Sequence, residues 1–457
     1  MLTIFTPAKA QTTQTQFLQK DSWIQKALMP TARSNLGIAA VDGKIYAIGG
    51  LAVKVNDAGF INSSLCLDVN EEYDPATDNW TTKKPMPTAR YDFAIAAYAG
   101  KIYCIGGLIG VSWLEATNVN EVYDPATNTW TTKAPLPLPG GEMQAHVIDN
   151  KIYLINATRT YVYDPATDNW TVKTLSSYVS FASVAFDGKI YVFGINGTNN
   201  APFTEIYDPV TDSWNSGTAA PTHTGFGGAA ATSGTIAPKQ IVTFGLTTRI
   251  YDPINDKWTT AASMPSLLAQ FGTVMVNDIL YAIGGLNTTS YVVGIVPSDN
   301  RPVYEPVGLN QQYTPPGYGT VPPAVSVISP ENNQTYNTTI VTLNFGINRD
   351  PAQVSQISYT IDQNNTSTIN GNLTLTDLSS GNHTLTVTTT DTNGNKGTSQ
   401  TINFTIIQPA PTPTETANNP NTNQVDTYWI AIAAVALVVA AILAAVLLTR
   451  RHKTSPK

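Results

Sequence analysis

Cysteine and histidine are scarce in this chain of 457 residues, which contains two of the former and four of the latter. Cys66 and Cys104 are far apart, so the sequence has neither a disulfide framework nor a cysteine cluster for a metal. The histidines match no metal-ligand spacing, and we expect no metal and no cofactor. Charged residues are 12% where about 25% is usual, and the net charge is −7. This balance argues against nucleic acid as a partner.

One short pattern recurs along the first half of the chain: a Tyr, an Asp-Pro pair and then a Trp. Asp-Pro predicts a tight turn, because Pro fixes φ and the Asp side chain can bond to its own backbone. Each copy therefore predicts two short antiparallel strands. Copies that recur about every 40–50 residues and contain only short strands indicate a β-propeller. The repeated aromatic residues, which we expect to pack between blades, are Tyr73, Trp80, Tyr123, Trp130, Tyr163, Trp170, Tyr207, Trp214, Tyr251 and Trp258.

A second block separates one Trp from the next Tyr. It begins with Met-Pro, continues through an apolar run and ends in a glycine pair, as from Met86 to Gly107. With diglycine, Tyr and Trp in register, the chain resembles the Kelch repeat family over roughly residues 20–315. This resemblance implies a Kelch β-propeller, although three repeats lack the glycine pair. The pairs that are present are Gly49 and Gly50, Gly106 and Gly107, and Gly284 and Gly285.

The two ends of the repeat region each carry half a motif. Trp23 has no Tyr-Asp-Pro before it, whereas the stretch around Tyr313 repeats the Tyr half with no Trp after it. Because a closed ring leaves no bare sheet edge, we predict that the N-terminal strand completes the last blade as its outermost strand. Five complete pairs and this split pair predict six blades over residues 21–316.

Long loops are expected on one face of the propeller. Those between the second and third strands of a blade, at 51–69, 108–120 and 286–309, share this face with the loops that enter each first strand. Functional residues concentrate on such loops, and the Kelch resemblance implies a ligand there. An alternative is that each arginine only pins its loop by bonding to a nearby carbonyl. Aligned repeats place these candidate ligand-binding residues on this rim: Arg33, Asn35, Arg90, Asp92, Glu142 and Gln270.

The remainder of the chain predicts that the propeller is displayed at the cell surface. A hinge at 317–324 precedes short alternating strands at 325–408, which resemble the Ig-like modules of prokaryotic, archaeal-type surface proteins. A Pro- and Thr-rich stalk at 409–426 leads to an apolar run at 427–449, long enough for one transmembrane helix. The basic tail at 450–457 is then expected in the cytoplasm, and everything before the helix outside.

Two features at the sequence level remain open. Residues 1–20 are interpreted as the remnant of a signal peptide, or else as a tail. Cys66 and Cys104 could pair outside the cell, or Cys104 could be a small buried apolar residue. Asn-x-Ser/Thr sequons such as Asn79 and Asn382 would allow glycosylation.

The function predicted is that of a cell-surface binding or adhesion protein whose partner is another surface protein or a glycan. We assign no catalytic residues. Some Kelch propellers resemble copper oxidases, but that site needs two converging histidines and a Tyr–Cys crosslink, and His146 and His223 belong to different blades. The alternatives are a carbohydrate-active surface enzyme, which would need polar residues that converge in the channel, and an architectural component of the cell envelope.

Overall fold

The computed structural model describes residues 19–55, 61–110, 115–156, 159–173, 180–196, 199, 201–221, 227–245, 247–292, 303–364 and 366–407. Secondary structure in these ranges is β-strand, apart from one 3₁₀ turn at Pro351–Gln353. The predicted stalk, transmembrane helix and basic tail lie outside them, as does most of the predicted signal remnant. Among the described residues, no helix has the length and apolar character that a membrane crossing requires.

Residues 22–314 form six four-stranded antiparallel sheets within these ranges. Sheet one contains β2 (Gly37–Val41), β3 (Lys44–Ile48), β6 (Asn70–Asp74) and β7 (Asn79–Thr82), with the hairpin β4 (Leu51–Val55) and β5 (Ile61–Cys66) inserted. Sheet two contains β8 (Ala94–Tyr98), β9 (Lys101–Ile105), β10 (Asn120–Asp124) and β11 (Thr129–Lys133). Sheet three contains β12 (Gln144–Ile148), β13 (Lys151–Ile155), β14 (Thr160–Asp164) and β15 (Asn169–Lys173).

The other three sheets follow the same order. Sheet four contains β16 (Ser180–Phe186), β17 (Lys189–Ile195), β18 (Pro202–Asp208) and β19 (Ser213–Gly217). Sheet five contains β20 (Ala229–Ala231), β21 (Ile241–Thr243), β22 (Arg249–Asp252) and β23 (Lys257–Thr260). Sheet six contains β25 (Gly272–Val276), β26 (Ile279–Ile283), β29 (Asn310–Thr314) and β1 (Ser22–Gln25), and an added sheet on its loops contains β24 (Leu268–Ala269), β27 (Leu286–Val292) and β28 (Val303–Pro306).

The sheets are arranged in a ring around a central channel. The first strand of each sheet contacts the first strand of the next, and β25 of sheet six contacts β2 of sheet one. Apolar clusters fill the wedges between neighbouring sheets; Tyr103 of sheet two, for example, packs against Tyr163 of sheet three with ring centroids 5.9 Å apart. This arrangement is a β-propeller. We call the end at which the chain enters each first strand the channel mouth.

In sheets one, two, three, five and six, the repeated aromatic residues clamp the sheet onto the loop that leaves the previous one. Tyr73 donates to Asp78 Oδ1 at 2.7 Å, and the same oxygen accepts the N–H of Ala27 at 2.9 Å. Trp80, which faces Tyr73 across β6 and β7, donates from Nε1 to Ala27 O at 2.9 Å. The same set of bonds is made by Tyr123, Asn128 and Trp130 on Lys84, by Tyr163, Asp168 and Trp170 on Ala134, and by Tyr251, Asp256 and Trp258 on Thr218.

The clamp of sheet six is divided between the two ends of the propeller. Strand β1 pairs antiparallel with β29, with Trp23 opposite Tyr313. Tyr313 donates to Asp21 Oδ1 at 2.7 Å, and this oxygen accepts the N–H of Ala262 at 2.8 Å. Trp23 Nε1 donates to Ala262 O at 2.8 Å. The N-terminal strand thus completes the last sheet as its outermost strand, as the half motifs predict.

The glycine pairs allow close approach between sheets. Gly49 and Gly50 have φ of 61° and 106°, a region that residues with a Cβ rarely adopt. A Cβ on Gly49 would lie 2.6 Å from Arg90 O in sheet two, and Gly50 donates its N–H to that oxygen at 3.0 Å. The pair therefore seats one sheet against the loop that enters the next.

Residues 325–406 form an Ig-like sandwich of two sheets. One sheet contains β30 (Val325–Ser329), β32 (Val341–Ile347) and β35 (Leu373–Leu375). The other contains β31 (Gln334–Tyr336), β38 (Ile402–Ile406), β36 (Gly381–Asp391), β33 (Val354–Ile361) and β34 (Ser367–Ile369), with β37 (Lys396–Thr398) paired to β36. Alternate residues of both sheets, among them Leu343, Val387 and Phe404, are buried between them.

The segment between propeller and sandwich, residues 315–324, is hydrogen-bonded on both sides; we call it the connector. Gly319 donates its N–H to Ile236 O at 2.9 Å, in the loop between β20 and β21. On the other side, Asn395 Nδ2 donates to Gly319 O at 2.7 Å, and Arg349 Nη2 donates to Val321 O at 2.6 Å. The predicted hinge is therefore docked against both of its neighbours.

Candidate ligand-binding site at the channel mouth

The central channel contains a cavity of about 850 Å³ that is bounded by the first strands of all six sheets. Its wall consists mainly of small and apolar residues, with Phe93 and Phe271 among them. Polar side chains occur at two levels: a rim at the mouth, and a deeper group on sheets three and four. The wall is formed by residues 35–40, 92–93, 95–97, 141–147, 183–185, 227–231 and 270–275, together with Asn156.

Four of the predicted residues form the rim. Asn35, Asp92, Glu142 and Gln270 precede the first strands of sheets one, two, three and six, and all have φ between 50° and 54°. Each of three N–H groups donates to the carbonyl of the equivalent residue: Glu142 to Asp92 at 2.9 Å, Asp92 to Asn35 at 3.0 Å, and Asn35 to Gln270 at 2.9 Å. Alignment of the repeats therefore placed these four positions correctly beside one another, and their role in ligand binding stays a prediction.

The rim is not described all the way round. The equivalent positions of sheets four and five are Ser180, whose side chain lies outside the described part of the structure, and Phe226, which lies outside it altogether.

The carboxyl group of Asp92 lies in surroundings that disfavour its negative charge. Asn35 Nδ2 donates to Asp92 Oδ1 at 2.6 Å. Burial, with a further contribution from the charge of Glu142, raises the pKa of Asp92 to about 6. Within the described residues, neither Asp92 nor Glu142 makes an ion pair. The rim thus carries two neighbouring carboxyl groups that lack a cation.

The two predicted rim arginines have a different role. Arg33 and Arg90 are fully buried, each paired with a buried carboxylate of its own sheet, Glu71 and Glu121. Arg33 also donates to Ala47 O at 2.8 Å, and Arg90 to the carbonyl of its own second strand at 3.0 Å. A ligand in the channel cannot reach them. We therefore correct their assignment: they pin their loops from inside, which was the alternative interpretation.

Replacing Arg90 with Ala is expected to destabilise the propeller by about 3–5 kcal/mol, because Glu121 would be left as an unpaired buried charge. Urea unfolding followed by tryptophan fluorescence measures the loss. The matched control is Lys101→Ala, which removes an ion pair with Asp124 whose lysine is 45% exposed, and which should change stability by less than about 1 kcal/mol. Similar unfolding midpoints for Arg90→Ala and the parent would contradict the structural role.

A deeper polar group on sheets three and four was missed by the sequence reasoning. Ser183 Oγ donates to Gln144 Oε1 at 2.7 Å and lies 2.7 Å from His146 Nε2. Burial lowers the pKa of His146 to about 4, so the imidazole is neutral near pH 7. The signal was available in the alternation of Glu142, Gln144 and His146, since alternate residues of a strand face the same side.

The cysteines do not form a bond in this structure. Cys66 and Cys104 are free thiols, and burial raises the pKa of both, to about 12 for Cys104. Cys104 is fully buried among apolar neighbours, as the alternative interpretation held. In the part of the chain that the structure describes, no three His, Cys, Asp or Glu side chains come together as a metal site would require.

Comparisons with known proteins agree with this architecture. The Kelch motif matches residues 32–87 and 89–137, and a bacterial Ig domain matches residues 323–387. Human Kelch-like protein 28 is 35% identical over 103 residues, which are 22% of this chain and 17% of that protein. Mouse influenza virus NS1A-binding protein homolog is 38% identical over 97 residues, 21% of this chain and 14% of that protein.

Two further similarities were found. Beta-scruin of Limulus polyphemus is 33% identical over 91 residues, 20% of this chain and 9% of that protein. A solved structure described as "Structure of YjhT" aligns with a TM-score of 0.43 at 16% identity, over 61% of this chain and 99% of that one. The matches to curated relatives thus span less than a fifth of each relative's length. This chain carries Kelch motifs in a β-propeller, followed by a bacterial Ig domain.

Proposed function

We propose that this chain is a cell-surface binding protein that recognises a protein partner with the channel-mouth face of its propeller. The observation that carries the proposal is the open cavity at the mouth, whose rim carboxyl groups Asp92 and Glu142 have no ion-pair partner among the described residues, unlike Glu71 and Glu121. Unpaired polar groups in a concave site favour a ligand that completes them. Kelch repeats generally mediate protein–protein interaction, which supports a protein as partner.

Inserted loops add surface to the same face. The hairpin β4–β5 of sheet one and the added sheet β24–β27–β28 of sheet six both leave from the mouth side, and β4 contacts β28. Ser34 pairs with Leu51 across two backbone bonds of 2.9 and 2.8 Å, which ties the hairpin to the rim. A partner on this face would meet a raised wall beside the cavity. We infer from the six sheets that the propeller has six blades.

Display at the surface is the second part of the proposal. Its support is the sequence of residues 409–457, with a stalk, an apolar run and a basic tail. The position of the connector is compatible with display, because it joins the sandwich to the end of the propeller that lies opposite the mouth. Glycan remains the alternative class of partner, and a carbohydrate-active or architectural role the alternative function.

Site-specific photocrosslinking on intact cells tests both parts. A photoreactive residue at Gln270 stands on the rim, whereas one at Asn277 stands at the opposite end of β25 and is exposed. We expect Gln270 to crosslink to a discrete protein and Asn277 to give none. Proteinase K, which needs no Lys or Arg, should cut the stalk when added to the cells and so remove the propeller. Equal crosslinking from both positions would reject the mouth as the binding face, and protection of the stalk from proteinase K would reject display.

A further inference from the structure

The charge balance of the cavity is one-sided. Among the described residues, its wall includes two carboxyl groups, Asp92 and Glu142, and one imidazole, His146, but no lysine or arginine. The low pKa of His146 keeps the imidazole neutral near pH 7, so it supplies no compensating positive charge. The electrostatic potential at the mouth is therefore negative, and concave walls of low dielectric strengthen such a field.

The contrast with Glu71 and Glu121 sharpens this observation. Glu71 and Glu121 occupy sheets one and two, and each receives an arginine and a threonine hydroxyl, from Thr31 at 2.7 Å and Thr88 at 2.8 Å. Asp92, on the same sheet as Glu121, accepts a side-chain hydrogen bond from the Asn35 amide and from no other described residue. Arginine thus neutralises Glu71 and Glu121, whereas Asp92 is open to the cavity.

The groups around Asp92 offer a ligand hydrogen-bond acceptors rather than donors. Asn35 Oδ1 is buried and accepts no hydrogen bond from any described residue. Glu142 is exposed at the rim and can only accept when ionised. A ligand that completes this site must therefore bring donors and positive charge together.

We propose that the mouth receives one basic side chain, a Lys or Arg, of the protein partner, with its cationic end between Asp92 and Glu142. This deepens the proposed function and rests on it. A divalent metal fits less well, since Ca²⁺ takes six to eight oxygen ligands and no cluster of three acidic or other ligating side chains is present among the described residues. A cationic amine or guanidinium needs only the two carboxylates and the amide oxygen.

Ligand-observed saturation-transfer NMR with the full-length protein tests the proposal. The probes are capped peptides Gly-Gly-Lys-Gly-Gly and Gly-Gly-Arg-Gly-Gly, with Gly-Gly-Gln-Gly-Gly as the neutral control and glucosamine as the glycan control. We expect the basic peptides to bind at least about tenfold more tightly than the Gln peptide, the equivalent of one lost charge pair. Asp92→Asn and Glu142→Gln should each remove most of that difference. Asp68→Asn, an exposed acid outside the cavity wall, should retain it.

A second readout separates recognition from support of the fold. The raised pKa of Asp92 means that ionisation costs stability above pH 6 and costs none below about pH 4. Asp92→Asn keeps an oxygen for the Asn35 amide and removes the charge. It should therefore raise Tm at pH 7.5 by roughly 2–6 °C while it weakens binding. A structural role alone would lower Tm.

The outcomes are distinct. Equal binding of Lys, Arg and Gln peptides, or binding unchanged by Asp92→Asn and Glu142→Gln, would overturn the inference. Binding of glucosamine alone would assign the site to an amino sugar and would overturn it as well. If the Gln270 crosslink persists in those cases, the proposed function stands and only the basic side chain is rejected.

Discussion

Deletion of residues 1–28 should leave the propeller unable to close, with a large loss of Tm and aggregation through the exposed edge of β29. The deleted strand carries Trp23, whose ring packs 4.9 Å from Tyr313 and 5.3 Å from Phe244. The deleted segment also contains Asp21, whose Oδ1 accepts hydrogen bonds from the Tyr313 hydroxyl and the Ala262 N–H. Loss of a packed Trp alone costs about 3–5 kcal/mol, and an unpaired edge strand invites association.

Two controls make this experiment decisive. Deletion of residues 1–18 retains every described contact of β1 and should melt like the parent. Trp23→Ala in the intact chain should lose about 3 kcal/mol, since the Trp ring is only half-buried, and should remain monomeric by light scattering because the strand still covers β29. If the 1–28 deletion melts with the parent, closure does not depend on β1.

Asp278→Ala is expected to have the second large effect. Asp278 is fully buried, and its carboxylate accepts four backbone N–H groups, from Ser233, Thr235, Ile236 and Ala237. Each orphaned buried donor costs about 1–3 kcal/mol, so the substitution should destabilise the chain by roughly 4 kcal/mol or more. Chemical unfolding at pH 7.5 measures it.

The same substitution should also release the connector. In the loop that Asp278 holds, Ile236 O accepts the N–H of Gly319, and Gln240 Nε2 donates to Pro316 O. Once this loop is released, limited proteolysis should cut near residue 318 faster than in the parent protein. Asp187→Ala is the matched control: Asp187 touches the same loop only through an exposed ion pair with Lys239 and should cost less than about 1 kcal/mol. Unchanged proteolysis in Asp278→Ala would show that the connector is held by other contacts.

Much of the fold could be predicted from the sequence because its repeats are local. The Tyr and the Trp that follows it lie on adjacent strands of one hairpin, so spacing alone determines that they face each other. The split clamp was predictable for the same reason, since Trp23 and Tyr313 are the two halves of one motif. The rim residues share a position relative to the first strand of each sheet, and equivalent positions of a ring lie at one height.

The direction of a side chain was not predictable in this way. Arg33 and Arg90 lie at the level of the mouth, but their side chains point into the protein because each pairs with a buried carboxylate there. A signal for this existed: Glu71 and Glu121 have the same position relative to Tyr73 and Tyr123, whereas sheet three has Gly140 in place of the arginine and Tyr161 in place of the glutamate. The arginine occurs only in sheets that also have the glutamate, whereas sheet four has Glu205 at the glutamate position and Tyr178 at the arginine position. The hydrogen bonds of Asp278 gave no such signal in the sequence, because its four partners are backbone N–H groups of another sheet.

The docked connector also determines how tension would travel through the molecule. A pull from beyond Ile407 reaches the propeller at Thr314, the last residue of β29. Before it loads that strand, it must detach Gly319 from Ile236 and Pro316 from Gln240, bonds that lie outside the ring of sheets. Until they break, these bonds pass the load to the loop of sheet five that contains Ile236 and Gln240. Tension from the C-terminal side therefore enters the propeller through sheet five before it reaches β29.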